Sequence, residues 1–180
     1  MRTRNTEEYR ALRATIRERG TTRVWVFFAG MTAWAMSTIA TVVLIVPPAV
    51  VLVPLLALAA TFEAVLALHV GVERVGRYLL VFFDDDWERA AGAFGRPAGA
   101  ISTDALFTAY FLLAALLTLL PLAGSALTIQ ELGGVAVAEA AFFARVLTAR
   151  VACGRQRKVD AERFSYLRAS EKDTTTTARH

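Results

Sequence analysis

Residues 24–70 read VWVFFAGMTAWAMSTIATVVLIVPPAVVLVPLLALAATFEAVLALHV, and this stretch decides the fold. Residues 24–46 carry no charge. Some 20 apolar residues suffice to cross a hydrocarbon core of about 30 Å, so this run is long enough to cross with some tilt. Trp25 stands at its start, where an interfacial indole is expected. Pro47 and Pro48 stop the helix, because neither donates a backbone hydrogen bond and each disfavours helix before it. Residues 49–70 form a second apolar span, with Pro54 placed to kink it near its start. The link between the spans is short and uncharged, which predicts a tight hairpin (residues 24–70).

On the N-terminal side, residues 1–23 predict a basic amphipathic helix. Asn5 and Glu8 resemble a capping box and Gly20 marks a stop. Tyr9, Leu12 and Ile16 fall on one stripe, and Arg10, Arg13 and Arg17 on another. Two readings remain open: a helix lying on an anionic membrane surface, or one packing its narrow apolar stripe on its own protein.

On the C-terminal side, residues 71–104 are polar. The second helix either runs on past the lipid boundary or bends at Gly71 or Gly76, and Gly92, Gly95, Pro97 and Gly99 mark a loop. Ser102, Thr103 and Asp104 offer N-caps for a third span, 105–128, which Pro121 and Gly124 bend or end. Gln130 and Glu131 form a turn before a fourth span, 132–151, which closes a second hairpin (105–152). Residues 153–180 predict a charged cytoplasmic helix over 155–172, then a disordered tail holding Thr174 to Thr177.

Composition agrees with this plan. The chain is 56% hydrophobic, more than a soluble domain of 180 residues needs. Its charge of +4 does not point to nucleic acid, because every basic residue flanks a span on one predicted side. Neither hairpin turn carries Lys or Arg, so the positive-inside rule places both termini and the middle segment in the cytoplasm. The preference for Arg over Lys hints at a GC-rich bacterial genome, and hence at an inner membrane. The expected fold is therefore all-α and polytopic: four transmembrane helices in two hairpins, with a basic N-terminal helix and a cytoplasmic C-terminal helix.

Ionisable residues inside a span are functional candidates by default. Glu63, His69, Glu139 and Arg145 form this intramembrane set. Counted at 1.5 Å per residue from the outer ends of their spans, Glu63 and Arg145 both lie about 20 Å deep. That depth predicts an ion pair. Glu139, about 10 Å deep on the same count, has no evident partner. The fourth span is marginal alone, since Glu139 and Arg145 oppose its insertion, so its charges are expected to face protein.

On the second helix His69, Glu73 and Arg77 recur at i, i+4, i+8 on one face. With Arg74 and Tyr78 the set suits a cytoplasmic interaction or a lipid headgroup, and equally a hydrogen-bonded ladder. Asp84, Asp85 and Asp86 offer a divalent-metal site if their backbone is a loop, and a solvated cap otherwise. Cys153 is the only cysteine, which excludes a disulfide framework. No cofactor is expected: the only histidines are His69 and His180, too few and too poorly placed for haem.

The first functional reading is a non-enzymatic accessory or scaffold subunit acting through its cytoplasmic face. Its partners would be anionic headgroups, a protein partner or further copies of itself. Two alternatives stand beside it. One is a metal-dependent membrane enzyme using Asp84, Asp85 and Asp86 on a lipid-linked phosphate. The other is a small proton- or ion-coupled carrier using Glu63, Glu139 and His69.

Overall fold

A computed structural model of the chain describes residues 2–44, 47–83, 89–90, 103–123 and 125–177, with the side chains of 2–5, 103–104 and 171–177 excepted. The described residues contain helices and no strands. Helix α1 spans Arg2–Val43, α2 Leu52–Phe83, α3 Thr103–Thr118 and α4 Ile129–Thr177. Short 3₁₀ turns at Pro48–Val51 and Leu120–Leu122 precede α2 and follow α3. Four of the described segments are long and apolar enough to cross a membrane: Thr6–Val43, Pro48–Phe83, Ala105–Leu122 and Ile129–Ser170.

The helices run longer than the sequence pattern predicts. α1 has 42 residues and α4 has 49, about twice the length a bilayer core requires. Gly20 does not stop α1, and Asn5 is not its N-cap, because the helix is already formed at Arg2. A single glycine costs a helix interior only about 1 kcal/mol, less than the long hydrogen-bonded runs on either side supply. α2 likewise passes Gly71 and Gly76 unbroken. Pro54 does not kink it. It lies in the first turn, where a missing N–H costs little. The predicted disordered tail is also corrected: α4 continues through Thr177, and each threonine costs a helix only a few tenths of a kcal/mol.

The second hairpin turn is displaced. The third span was expected to reach residue 128, but α3 ends at Thr118, just before Pro121. Gln130 and Glu131 belong to the first turn of α4 and not to a loop. The start of that helix is fixed by Thr128 and Glu131. The Glu131 N–H donates to Thr128 Oγ1 (3.2 Å), and the Thr128 N–H and hydroxyl donate to Glu131 Oε2 at 3.0 and 2.8 Å. This is a capping box. Of the N-caps expected for α3, Thr103 and Asp104 are already helical, and Ser102 lies outside the described residues.

Hydroxyls within the apolar helices fold back on their own backbone. Ser37, Thr38, Thr41, Thr61, Thr118 and Thr148 each donate to a carbonyl three or four residues earlier. Such bonds satisfy a polar side chain where no water is at hand.

The chain divides into two compact units. One comprises Met1–Thr22, Leu68–Ala100 and Ala152–His180, the other Arg23–Ala67 and Ile101–Val151. All the basic residues except Arg23, Arg145 and Arg150 fall in the first, so the two are called here the charged unit and the apolar unit.

The apolar unit is built on aromatic rings from all four helices. Phe62 of α2 meets Phe107 and Phe111 of α3 at 6.2 and 5.2 Å, and Phe142 of α4 at 6.2 Å. Phe27 of α1 meets Phe111 at 6.2 Å. Leu58, Phe111 and Ala115 are wholly buried beside them. The Trp34 indole N–H donates to Thr118 Oγ1 at 2.9 Å, tying α1 to the end of α3. α1 and α2 approach closely at Gly30, where a Cβ would collide with the buried side chain of Thr61. Thr61 cannot turn aside freely, since it is β-branched and its hydroxyl is bonded to Ala57.

Gly30→Ala should therefore destabilise the protein by about 1–3 kcal/mol, the usual cost of overpacking. Gly20→Ala should be neutral or stabilise by up to about 1 kcal/mol, since nothing lies within 4 Å of the added methyl. Equilibrium unfolding of the two variants in detergent micelles checks both.

Candidate functional site

The polar face of α2 lies in the charged unit, and Glu73 is its centre. Arg157 of α4 grips the Glu73 carboxylate with two nitrogens, Nη2 to Oε1 at 2.6 Å and Nε to Oε2 at 3.0 Å. Arg77, one turn further along α2, approaches Oε2 at 3.5 Å, and His69, one turn before, approaches Oε1 at 3.4 Å. Asp160, one turn beyond Arg157 on α4, is only 7% exposed. It accepts from Arg77 Nη2 at 3.1 Å and Arg74 Nε at 3.4 Å.

Arg77 therefore bridges both carboxylates, and its Nε is buried with no partner among the described residues. Three guanidiniums face two carboxylates. Planar, delocalised Arg suits such crowded, partly buried pairing better than Lys would. The arrangement fastens α2 to α4, and only Arg74, with a side chain 52% exposed, keeps much of its surface open.

Tyr78 is also engaged. Its hydroxyl donates to Glu8 Oε1 at 3.0 Å, and its ring stacks on Phe82 (4.5 Å) and meets Phe164 of α4 edge-on (5.7 Å). Tyr9 of α1 packs on Phe83 at 5.7 Å. Tyr9, Leu12 and Ile16 are half-buried, so the apolar stripe of the N-terminal helix packs at Tyr9 on the chain's own α2. Gly71 lets another α1 residue come close: Arg19 Nη1 stands 2.7 Å from where a Cβ would be.

The intramembrane set divides. In the apolar unit Arg145 Nε lies 2.6 Å from Glu63 Oε1, and Arg145 Nη2 donates to Glu63 Oε2 at 2.7 Å. This two-pronged pair joins α4 to α2, at the residues the depth count pairs. Both side chains are nonetheless about half exposed, 47% for Glu63 and 48% for Arg145. The expectation that the fourth span's charges face protein fails for Arg145 within this chain. Glu139 is the reverse case: it is 7% exposed, and neither carboxylate oxygen has a partner among the described residues. His69 lies in the charged unit beside Glu73.

Asp84, Asp85 and Asp86 lie outside the described residues. Among those described, no three His, Cys, Asp or Glu side chains are grouped so as to hold a metal ion. Reading the sequence missed Arg157 and Asp160. Their spacing on α4 (i, i+3) was visible, and the Glu63–Arg145 pairing already set α4 beside α2, but that register was not carried past the ends of the apolar spans.

Comparison with protein-family models, with curated proteins and with solved structures gives no match. The function must be argued from these residues alone.

A double-mutant cycle on Glu73→Gln and Arg157→Gln should give a coupling energy of roughly 1–3 kcal/mol. Asp160→Asn should destabilise more than Arg74→Gln, because it leaves Arg77 buried without a full counter-charge. Thermal unfolding of the four single variants and the one double variant reads both effects.

Proposed function

We propose that the chain is a non-enzymatic integral membrane protein, an accessory or scaffold subunit that acts through protein contacts on the cytoplasmic face. Its four apolar helices would form two hairpins in a cell inner membrane, with both termini and the charged unit on the cytoplasmic side. The one-sided distribution of arginine supports that orientation, since residues 44–51 and 119–128, between the helices, carry none.

The observation that carries the interaction reading lies on the charged part of α4. There Val159, Tyr166 and Leu167 are exposed, Tyr166 by 74%, and Glu162 and Arg163 lie between them. Asp160 and Phe164, one and two turns along, face inward to α2. Tyr166 thus points away from the side used within the chain and, with Val159 and Leu167 beside it, gives α4 an exposed edge with the aromatic and aliphatic character of a contact surface. The polar face of α2, by contrast, is spent on internal pairing.

Two measurements test the proposal. With Cys153 replaced, single cysteines placed near either terminus should react with an impermeant reagent only after the membrane is opened, and one at residue 48 without opening. A protein that co-purifies with the native chain should be lost from a Tyr166→Glu, Leu167→Glu variant that still folds and inserts. Recovery of the native chain alone, or an undiminished yield of the partner with the variant, overturns the interaction reading.

One observation favours a second reading, the proton- or ion-coupled carrier: the buried, unpartnered carboxyl of Glu139. Glu63 weakens it, being held by Arg145, and so does His69, which pairs with Glu73 in the charged unit. Under this reading Glu139→Gln should abolish pH-driven flux in proteoliposomes without changing the unfolding temperature. Under the first reading there is no such flux to lose.

A further inference from the structure

The Glu63–Arg145 pair is half exposed on a part of the molecule that is otherwise apolar or small, and this is where the chain is incomplete by itself. The inference rests on the proposal that the helices cross a membrane. In hydrocarbon an ion pair left half uncovered is costly, and its charges are satisfied only by further polar groups. Water does not supply them there, and each side chain of the pair stays about half exposed among the described residues.

The surface around it is shaped for close approach. Ala60 and Ala67 share the face of α2 with Glu63, and Gly134, Ala141 and Thr148 share that of α4 with Arg145; all are exposed. A Cβ placed on Gly134 would meet nothing within 4 Å. Packing within the chain therefore gives no reason for a glycine there, in a helix interior where it is unfavourable. Small residues on a membrane helix let a neighbouring backbone come near.

We propose that this face of α2 and α4 binds a second copy of the same chain, with the Glu63–Arg145 pair at the centre of the contact. The charge pattern selects a copy over another occupant. Glu63 and Arg145 lie at matching depth on the two helices, so the dipole of the pair lies mainly in the membrane plane. A two-fold axis along the membrane normal reverses any in-plane vector. Two copies so related bring Glu63 of each against Arg145 of the other. The result is a four-membered ring of alternating charge in which every ion gains a second partner. An isologous contact requires such a self-complementary patch, and a carboxylate–guanidinium pair lying flat is one.

Subunit counting by stepwise photobleaching, on the full chain in phosphatidylcholine–phosphatidylglycerol vesicles over a range of protein-to-lipid ratios, tests this. The expected result is a dimer that dissociates only on dilution in lipid. Gly134→Leu and Ala141→Leu fill space that is open within one chain, so helix content and unfolding temperature should hold while the dimer weakens at least tenfold. A second arm reads the charges. Chains with Glu63→Arg alone or Arg145→Glu alone should not self-associate, whereas the two co-expressed should form a mixed dimer, each supplying the opposite charges.

A chain that stays monomeric at every density, dimerises as well with Leu at 134, or takes up a different protein at this face overturns the proposal and leaves the membrane reading intact. Release of the chain from vesicles by alkaline carbonate overturns the membrane reading and the dimer with it.

Discussion

A helix that crosses hydrocarbon must satisfy every backbone polar group from within, because no water is there to do it. Four helices here are long and apolar enough to cross a membrane, and much of the structure is what that constraint requires. It accounts for long helices without internal breaks, for threonine and serine hydroxyls folded back on the preceding turn, and for confinement of the 3₁₀ turns to the ends of the apolar segments. It also explains why glycine is used so selectively. Gly20 sits in an open stretch of α1 at small cost, whereas Gly30 is required, because Thr61 occupies the place of its side chain.

The same residue types play different parts in the two units. In the charged unit Glu73 and Asp160 face three arginines across α2 and α4, and each carboxylate is shared between at least two cations. Such sharing offsets desolvation better than isolated pairs do, and it fixes the register of one helix on the other. In the apolar unit Glu63 has Arg145 only, and Glu139 has no partner among the described residues. The register there is set by rings: Phe62 against Phe107, Phe111 and Phe142. Polar groups thus organise one unit and are exceptions in the other. That contrast is why an exposed ion pair in the apolar unit calls for an explanation and an exposed arginine in the charged unit does not.

What the sequence made legible was whatever depends on one segment at a time. Four apolar runs, the all-helical class and the pairing of Glu63 with Arg145 could be read because length, hydropathy and rise per residue are local quantities. Helix ends were read poorly. Gly20, Asn5 and the threonines near the C-terminus looked like boundaries because their intrinsic preferences are unfavourable, yet those preferences amount to tenths of a kcal/mol up to about one and were outweighed by the neighbouring turns. The T-x-x-E signature of Thr128 and Glu131 was present and was passed over in favour of a turn two residues later. Of the partners of Glu73, His69 and Arg77 were legible in the i, i+4 ladder of α2, but Arg157 was not. Arg157 stands 84 positions from Glu73, and Asp160 stands 83 from its own partner Arg77, so finding them required carrying the pairing of α2 with α4 beyond the apolar spans.

The surface is the main witness to function, and it is not uniform. Where a polar group is buried inside this chain it is usually shared, and where an apolar group is exposed on the charged unit it is concentrated on one side of α4. Scattered exposed apolar residues need no explanation. Tyr166 and Leu167 differ because the half-buried Phe164 already supplies the apolar contact of this segment with α2, while Tyr166, two residues on, points away from it. An exposed aromatic of that kind, with Val159 and Leu167 beside it, supports the proposed interacting subunit better than the reactive-looking face of α2, whose charges are spent on internal pairing.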